Sequence, residues 1–306
     1  RVINGCWQLS EGHSIKNDLD FDDVMRAFHM LAERGFTTFD CGDIYTGVEE
    51  FLGKFVRELK HGSGLSPDQI QIHTKYVPDL DLLSQVDFAY TEKIIDRSLK
   101  RLNREILDMV QFHWWDYEVP GCIETAEYLV RLKEKGKIRN ISVTNFDTRH
   151  LKELVDAGIP VTTTQTQYSV FDRRPEKGYL EYCKGQGIPM LCYGTLSGGF
   201  LAERWIGKRM EEPETRSQVK YLQVIEDSLG WDGYQKLLKL LQGIAEKYQV
   251  GISQVASKYI LSQEGVGAAI IGIRNSRHVE DNLKIFSFEL EQEEIMEIRR
   301  FLEAYP

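Results

Sequence analysis

No stretch of about 18 consecutive apolar residues occurs in this 306-residue sequence, so nothing in it reads as a membrane-spanning helix. Cysteines are few and unpaired in pattern. The five, Cys6, Cys41, Cys122, Cys183 and Cys192, have neither C-x-x-C nor metal-ligand spacing. An odd set without such spacing argues against a disulfide framework and a thiolate metal site, and suits a reducing compartment. Positive charge is also short. Lys and Arg number 38 against 47 Asp and Glu, a net charge of −9, which argues against nucleic acid or an anionic membrane as a partner. The G-x-G-x-x-G fingerprint is missing as well. Its nearest approach, "GVGAAI" (265–270), leads into an apolar run rather than out of one and lacks the third glycine. No low-complexity tract and no Pro/Gly/Ser linker divides the chain, so residues 1–306 read as a single domain. No charged-then-apolar leader opens the sequence at Arg1, and a cytoplasmic location is expected, with a processed organellar import segment as the alternative.

What is present is an ordinary globular composition, 42% apolar and 28% charged, with a strong alternation of patterns. Eight short β-rich runs recur: "RVINGCW" (1–7), "FTTFD" (36–40), "IQIHTK" (70–75), "LDMVQFH" (107–113), "IRNISV" (138–143), "PVTTTQT" (160–166), "IPMLCY" (188–193) and "GAAIIG" (267–272). Between them lie segments of helical period, among them 20–35, 91–103, 122–136 and 148–158. Eightfold strand–helix alternation predicts an α/β fold of the (β/α)₈ TIM-barrel type, with a doubly wound open sheet as the competing arrangement. Long βα loops and a C-terminal helix complete the expectation. The stretch 198–235, after the seventh run, is too long for a plain connection and reads as a wall or lid of the site.

A barrel gathers the C-terminal ends of its strands at one mouth. Those ends carry Asp40, Lys75, His113, Asn145, Gln165 and Tyr193, with Tyr45 in the loop after Asp40. Each has a bland alternative: Asp40 as a turn former with Asp43 competing as the cap, Lys75 as a solvated rim lysine, His113 as a core histidine, Tyr45 as a loop aromatic. Brought together they suit proton transfer. A lysine held charged by Asp40 favours the phenolate of Tyr45, lowering its proton affinity below the free value of about 10. Such a tyrosine protonates a carbonyl oxygen, and a neutral His113 opposite would donate a hydrogen bond to that oxygen.

At these residues the sequence resembles the aldo-keto reductases over nearly its whole length. "GFTTFDCGDIYTGVEEFLG" is similar to that family's D-x-x-x-x-Y signature. The resemblance implies a catalytic tetrad of Tyr45 as proton donor, Lys75 and Asp40 as its tuners, and His113 as the orienting group. "ISVTNF" and "TQTQYS" resemble motifs that imply nicotinamide-carboxamide contacts from Thr144, Asn145 and Gln165. "LCYGTLSGGFL" implies that Tyr193 stacks on the nicotinamide and that Gly194, Leu196 and Ser197 follow the pyrophosphate. "IIGIRNSRHVEDN" implies the adenosine end, with Asp281 and Asn282 at adenine. Where many members place Lys-Ser and a later Arg around a 2′-phosphate, this chain has Gly272-Ile273 and His278. Arg274, Arg277 and His278 remain as positive charge, so NADPH is the expected cofactor and NADH the alternative. Relatives usually carry a hairpin before the first strand, which implies residues preceding Arg1. Trp7, Trp114 and Trp115 fall where the family lines its substrate pocket, with barrel-end packing as the other reading.

The expected function is therefore reduction of aldehydes or ketones, or the reverse oxidation of an alcohol or sugar. The expected partner is a small carbonyl or sugar, with no metal, and the oligomeric state is left open. Two other readings carry their own requirements. A Schiff-base aldolase would need Lys75 free and desolvated. A cofactor-binding regulatory subunit of the same fold would bind dinucleotide with little turnover.

Overall fold

The structure is a computed structural model and describes residues 1–13, 19–62, 65–209 and 212–305. Each β-rich run forms a strand: β1 (Val2–Gly5), β2 (Thr38–Asp40), β3 (Gln71–Tyr76), β4 (Met109–Phe112), β5 (Ile141–Thr144), β6 (Val161–Gln167), β7 (Met190–Tyr193) and β8 (Val266–Gly272). They pair in sequence order, all parallel, and β8 returns to β1 to close a barrel. Closure excludes the doubly wound sheet.

The connections are helical: α1 (Phe21–Glu33), α2 (Val48–Gly62), α3 (Phe88–Leu102), α4 (Cys122–Glu134), α5 (Thr148–Asp156) and α6 (Tyr179–Gly185) each follow one strand. After β7 come α7 (Arg216–Ser228), α8 (Gly230–Tyr248) and α9 (Ile252–Leu261). After β8 come α10 (His278–Leu283) and α11 (Gln292–Glu303). Side chains of Asp20, Asp87, Asp147 and Thr215 accept from the first free N–H groups of α1, α3, α5 and α7, the capping that short polar residues provide. Most of the core lies between barrel and helices. Phe28, Phe39 and Phe55 pack there as a buried aromatic group.

The interior of the barrel follows from the two-residue period of a strand. Register pairs Asp40 with His73, Lys75 with Gln111, Thr144 with Gln165, and Gln167 with Tyr193. Stepping by two from these pairs puts Asp40, Lys75, Gln111, His113, Thr144, Gln165 and Tyr193 on the inward face. Lower down the same face is apolar, where Ile3, Met109, Leu191, Ala268 and Ile270 form one cluster with Tyr193 above it. The barrel is thus an apolar plug capped by a polar layer at the C-terminal mouth, the end where barrel chemistry is sited.

The stretch 198–235 is more ordered than a loop reading suggests. It holds all of α7 and the first turns of α8, with residues 210 and 211 outside the described residues. Gly199 anchors its start, since its carbonyl accepts from Trp205 Nε1 at 2.8 Å and Arg204 Nη2 at 3.2 Å. Glu203 Oε1 accepts the Ile252 N–H at 2.6 Å at the start of α9, and the carbonyl of Lys208 accepts from Gln235 Nε2 at 3.3 Å.

Candidate active site

Lys75 is at the centre of the polar layer. Its ammonium is buried and donates to Asp40 Oδ1 at 2.7 Å and to the Cys41 carbonyl at 2.7 Å. It also lies 4.9 Å from the centroid of the Tyr45 ring. Burial alone would lower the lysine's proton affinity. The Asp40 charge, the nearby phenol and the hydrogen bond outweigh it, and the pKa is held above its ordinary value. Lys75 is therefore a charged, paired lysine and lacks the free amine that a Schiff-base aldolase requires.

Asp40 uses both oxygens. Oδ2 accepts from Gln165 Nε2 at 2.6 Å, and the same amide nitrogen reaches Gln111 Oε1 at 3.0 Å. Gln165 was expected to serve the cofactor carboxamide through this residue's polar end. Here its N–H donors face the carboxylate of the tetrad, which leaves Oε1 as its remaining polar atom. Gln111 was not singled out in the sequence. Its signal was a lone amide at an inward position of the apolar run "MVQF".

Tyr45 is half-buried, with its ring 4.7 Å from that of Trp7. The pKa of its phenol moves in the direction opposite to expectation. Burial raises it, the Lys75 charge pulls it back, and the net shift is upward. Desolvation wins because the phenolate would be created in a site largely closed to water. The hydroxyl is consequently protonated at neutral pH, and Lys75 is placed to stabilise negative charge as it develops.

His113 Nδ1 lies 3.1 Å from the Thr144 carbonyl. A carbonyl only accepts, so Nδ1 carries the hydrogen. Burial lowers the ring's pKa below its ordinary 6.5, with the Thr144 contact opposing. The neutral ring then offers an acceptor at Nε2. This corrects the expectation of a neutral donor, because donation from Nε2 requires the imidazolium.

The three tryptophans separate. Trp7 faces Tyr45, and Trp115 is 48% exposed with its ring edge-on to His113 at 4.6 Å. Trp114 does not line the pocket. It is 1% exposed, packs its ring tilted against Phe112 and donates from Nε1 to the Val119 carbonyl at 3.2 Å. With His113 turned to the mouth, its immediate neighbour is turned into the wall.

Asp43 also differs from its expected role as a loop cap. Its carboxylate is buried, neither oxygen has a partner of normal hydrogen-bond geometry among the described residues, and Arg97 Nη2 stands 3.7 Å away. Burial first, then the charge of buried Glu49, push its pKa up to about 8, while the Val77 and Ile44 amides and Arg97 pull the other way.

On the opposite side of the mouth, Asn145 adopts a left-handed conformation (φ 60°) and its Oδ1 accepts from the Tyr193 hydroxyl at 2.8 Å. The loop after β7 has four left-handed residues, Gly194, Ser197, Gly198 and Gly199. Turns of this kind make concave rows of N–H groups that suit phosphate oxygens. A Cβ on Gly194 would meet the Tyr221 hydroxyl at 2.2 Å, so α7 lies directly on this loop. Thr195 Oγ1 and Asn282 Nδ2 are buried without partners among the described residues. Asp281 pairs with Lys284 at 3.1 Å. Gly272 is exposed, and a side chain there would collide with Gln8. Burial lowers the pKa of His278. Asp281 opposes, and the charges of Arg204, Arg274 and Arg277 add to the lowering. Orphaned donors, a left-handed loop and positive charge are what an extended dinucleotide would use.

A family model described as "Aldo/keto reductase family" matches residues 1–303. The chain belongs to the aldo/keto reductase family. Members of this oxidoreductase family are NAD(P)H-dependent enzymes, and this chain is one of them. It is 29% identical over 314 residues to the aldo-keto reductase YhdN of Bacillus subtilis, covering 99% of this chain and 90% of that one. A glycerol dehydrogenase structure from Gluconobacter oxydans matches with a TM-score of 0.81 at 24% identity, covering 99% and 91% of the two chains. A reductase from Klebsiella pneumoniae, solved with NADP and acetate, has a TM-score of 0.74 at 22% identity and covers 100% and 91%. Both structural likenesses support the barrel fold of this family member.

Proposed function

We propose that this aldo/keto reductase reduces a small carbonyl compound, or oxidises the corresponding alcohol, with Tyr45 as the proton-transferring group and NADPH as the preferred cofactor. The observation that carries the reading is the Lys75 ammonium, buried between Asp40 and the Cys41 carbonyl with the Tyr45 ring beside it. When bound, the cofactor would supply a hydride at the carbonyl carbon. Thr144, Asn145 and Tyr193 would hold its nicotinamide end, the Gly194–Ser197 turn with Leu196 its diphosphate, and Asp281 with Asn282 its adenine.

In reduction, Tyr45 gives its phenolic proton to the carbonyl oxygen, and Lys75 stabilises the phenolate left behind. The raised pKa keeps the acid loaded at neutral pH. Asp40 acts through Lys75, and Gln165 holds the far oxygen of Asp40 in place. His113 fixes the substrate oxygen from the other side. As a neutral ring it accepts from an alcohol hydroxyl, and as an imidazolium it donates to a carbonyl. Trp7 and Trp115 wall the pocket with apolar surface that suits a carbonyl carbon skeleton or the flat face of a sugar.

NADPH is favoured because the charges of Arg204, Arg274 and Arg277 are felt at His278, which leaves positive charge at this end of the mouth where other members use a Lys-Ser pair. A panel of aldehydes, ketones and sugars, followed by reduced-nicotinamide absorbance with NADPH and NADH in parallel, tests it. Turnover with NADPH at several-fold higher kcat/KM is the expected result. Equal rates with both cofactors would remove the 2′-phosphate assignment, and no turnover with either would remove the reaction.

A further inference from the structure

The loop that carries Tyr45 is held from behind by buried groups that the reaction above does not use. Glu49 follows Tyr45 in the first turn of α2 and is buried. Its Oε1 accepts from the Thr74 hydroxyl at 2.7 Å, and Thr74 is itself buried on β3 beside Lys75. Side chains alternate between the two faces of a strand. Lys75 therefore enters the polar layer to meet Asp40, while Thr74 turns outward to α2. Two neighbouring residues of β3 thus hold the ammonium on one face and the helix after Tyr45 on the other.

Helix α3 closes the bracket. Arg101 Nη1 donates to Glu49 Oε2 at 3.4 Å and to the Asp43 carbonyl at 3.3 Å. Its Nε pairs with Glu50 Oε1 at 2.9 Å. Arg101 can reach all three because α2 and α3 pass closely at Gly53, which lies against the Arg101 carbonyl. Arg97, one turn earlier on the same face of α3, stands 3.7 Å from the Asp43 carboxylate. The Asp43 N–H also meets the Lys75 carbonyl at 3.4 Å. The loop is consequently tied on both flanks of Tyr45, at Asp43 to Lys75 and Arg101, and at Glu49 to Thr74 and Arg101.

Taking the Glu49 carboxylate out of water is unfavourable, and apolar side chains of similar volume would join α2 to β3 with less opposition. What the hydrogen-bonded charge adds is direction. Apolar packing tolerates small sliding of a helix, whereas a hydroxyl–carboxylate bond has a narrow optimum of distance and angle. Proton transfer depends on such placement, and a misplacement of about 1 Å can lower a rate by about 100-fold.

We propose that Glu49, held by Thr74 and Arg101, is a positioning residue that sets where the Tyr45 hydroxyl sits relative to the Lys75 ammonium. This role rests on Tyr45 as the proton-transferring group. It acts on the chemical step and leaves binding in place, because the segments assigned to the cofactor follow β5, β7 and β8 rather than β2 and β3.

Thr74→Val removes the donor at nearly constant volume, and Thr74→Ser returns it. Carbonyl reduction and NADPH affinity are measured for both. The Tyr45 ring is followed by its ζ-carbon NMR resonance in tyrosine-labelled protein, assigned by its loss in Tyr45→Phe. T74V is expected to lower kcat about tenfold, with KM and the NADPH dissociation constant within about twofold of wild type, and to shift the Tyr45 resonance. T74S is expected to recover most of the rate and the wild-type resonance. A wild-type kcat in T74V, or a T74S enzyme as slow as T74V, would overturn the role. A fall in kcat matched by an equal loss of NADPH affinity would do the same, since it marks general damage. Should T74V not fold, Glu49→Gln keeps an acceptor for Thr74 and drops the charge that draws Arg101. The same tenfold fall in kcat, roughly, with binding intact is expected there, and a wild-type kcat would count against the role. If Tyr45→Phe keeps the wild-type rate, the proton-donor reading fails instead. The bracket is then judged by the resonance, with a shift in T74V reversed in T74S supporting it and an unmoved resonance overturning it.

Discussion

At the residue scale, Lys75 is tied to Asp40 inside the barrel, and removing one partner strands the other. Lys75→Met leaves the Asp40 carboxylate buried against Gln165 alone, and the expected loss is about 3–5 kcal/mol in denaturant unfolding. A loss under about 1 kcal/mol would mean that the pair is solvated, as surface ion pairs are. Asp43 makes a different prediction. Its folded pKa, about 8, lies above the ordinary 3.8. Between those values an unfolded chain releases the proton that the folded one keeps. The stability associated with the protonated carboxyl is complete below the unfolded value and is lost progressively up to the folded one. Asp43→Asn should therefore gain thermal stability on wild type as pH rises from about 4 to about 8, by at most about 1.4 kcal/mol per pH unit. A pH-independent difference would mean that Asp43 is ionised in the fold. His113 adds a third. Because its ring is neutral and donates from Nδ1, protonation below pH 6.5 creates a new donor at Nε2, and kcat/KM for reduction should rise there. That acidic rise should vanish in His113→Gln. Identity and spacing made the tetrad legible in sequence. The direction of the Tyr45 shift, the tautomer of His113 and the isolation of Asp43 were not, since each depends on how much water the fold leaves around the group.

At the scale of elements, two close approaches carry weight. Gly53 on α2 lies where a Cβ would sit 2.0 Å from the Arg101 carbonyl on α3, and only glycine lets the two backbones pass. Gly194 combines φ +75° with the Tyr221 contact. Gly194→Ala should cost about 1–2 kcal/mol from backbone conformation alone and more from displacing α7. Chemical denaturation measures the first. Weaker dinucleotide binding would report the second, and unchanged binding would mean that α7 does not shape the loop. The strands and the helices after β1, β3, β4 and β5 were visible from period and end signals. Helix α7 was not resolved within the long 198–235 stretch, although Thr215 is a readable cap. Trp114 was misplaced because three adjacent residues, His113 to Trp115, leave the strand. Which of them faces the mouth is set by β4 pairing with its neighbours.

At the scale of the whole molecule, closure of the barrel makes the mouth a single site assembled from segments far apart in sequence, Asp40 with Gln165 for one. A ligand that binds this mouth in the folded state alone stabilises the entire domain. NADPH at a hundred times its dissociation constant should add about 2.7 kcal/mol and raise the melting temperature by about 3–8 °C. An unmoved melting temperature at that concentration would argue against the cofactor site. The fold was readable as a count of eight alternations, but the polar layer inside it became legible only through register.

The account turns on Tyr45 giving a proton to the substrate, and one variant addresses that directly. Steady-state carbonyl reduction by Tyr45→Phe is compared with wild type, with NADPH affinity measured on the same samples. A fall in kcat of about 10²–10⁴ with the dissociation constant for NADPH within about twofold is the predicted result. A Tyr45→Phe enzyme that keeps its rate within about tenfold of wild type would contradict the account.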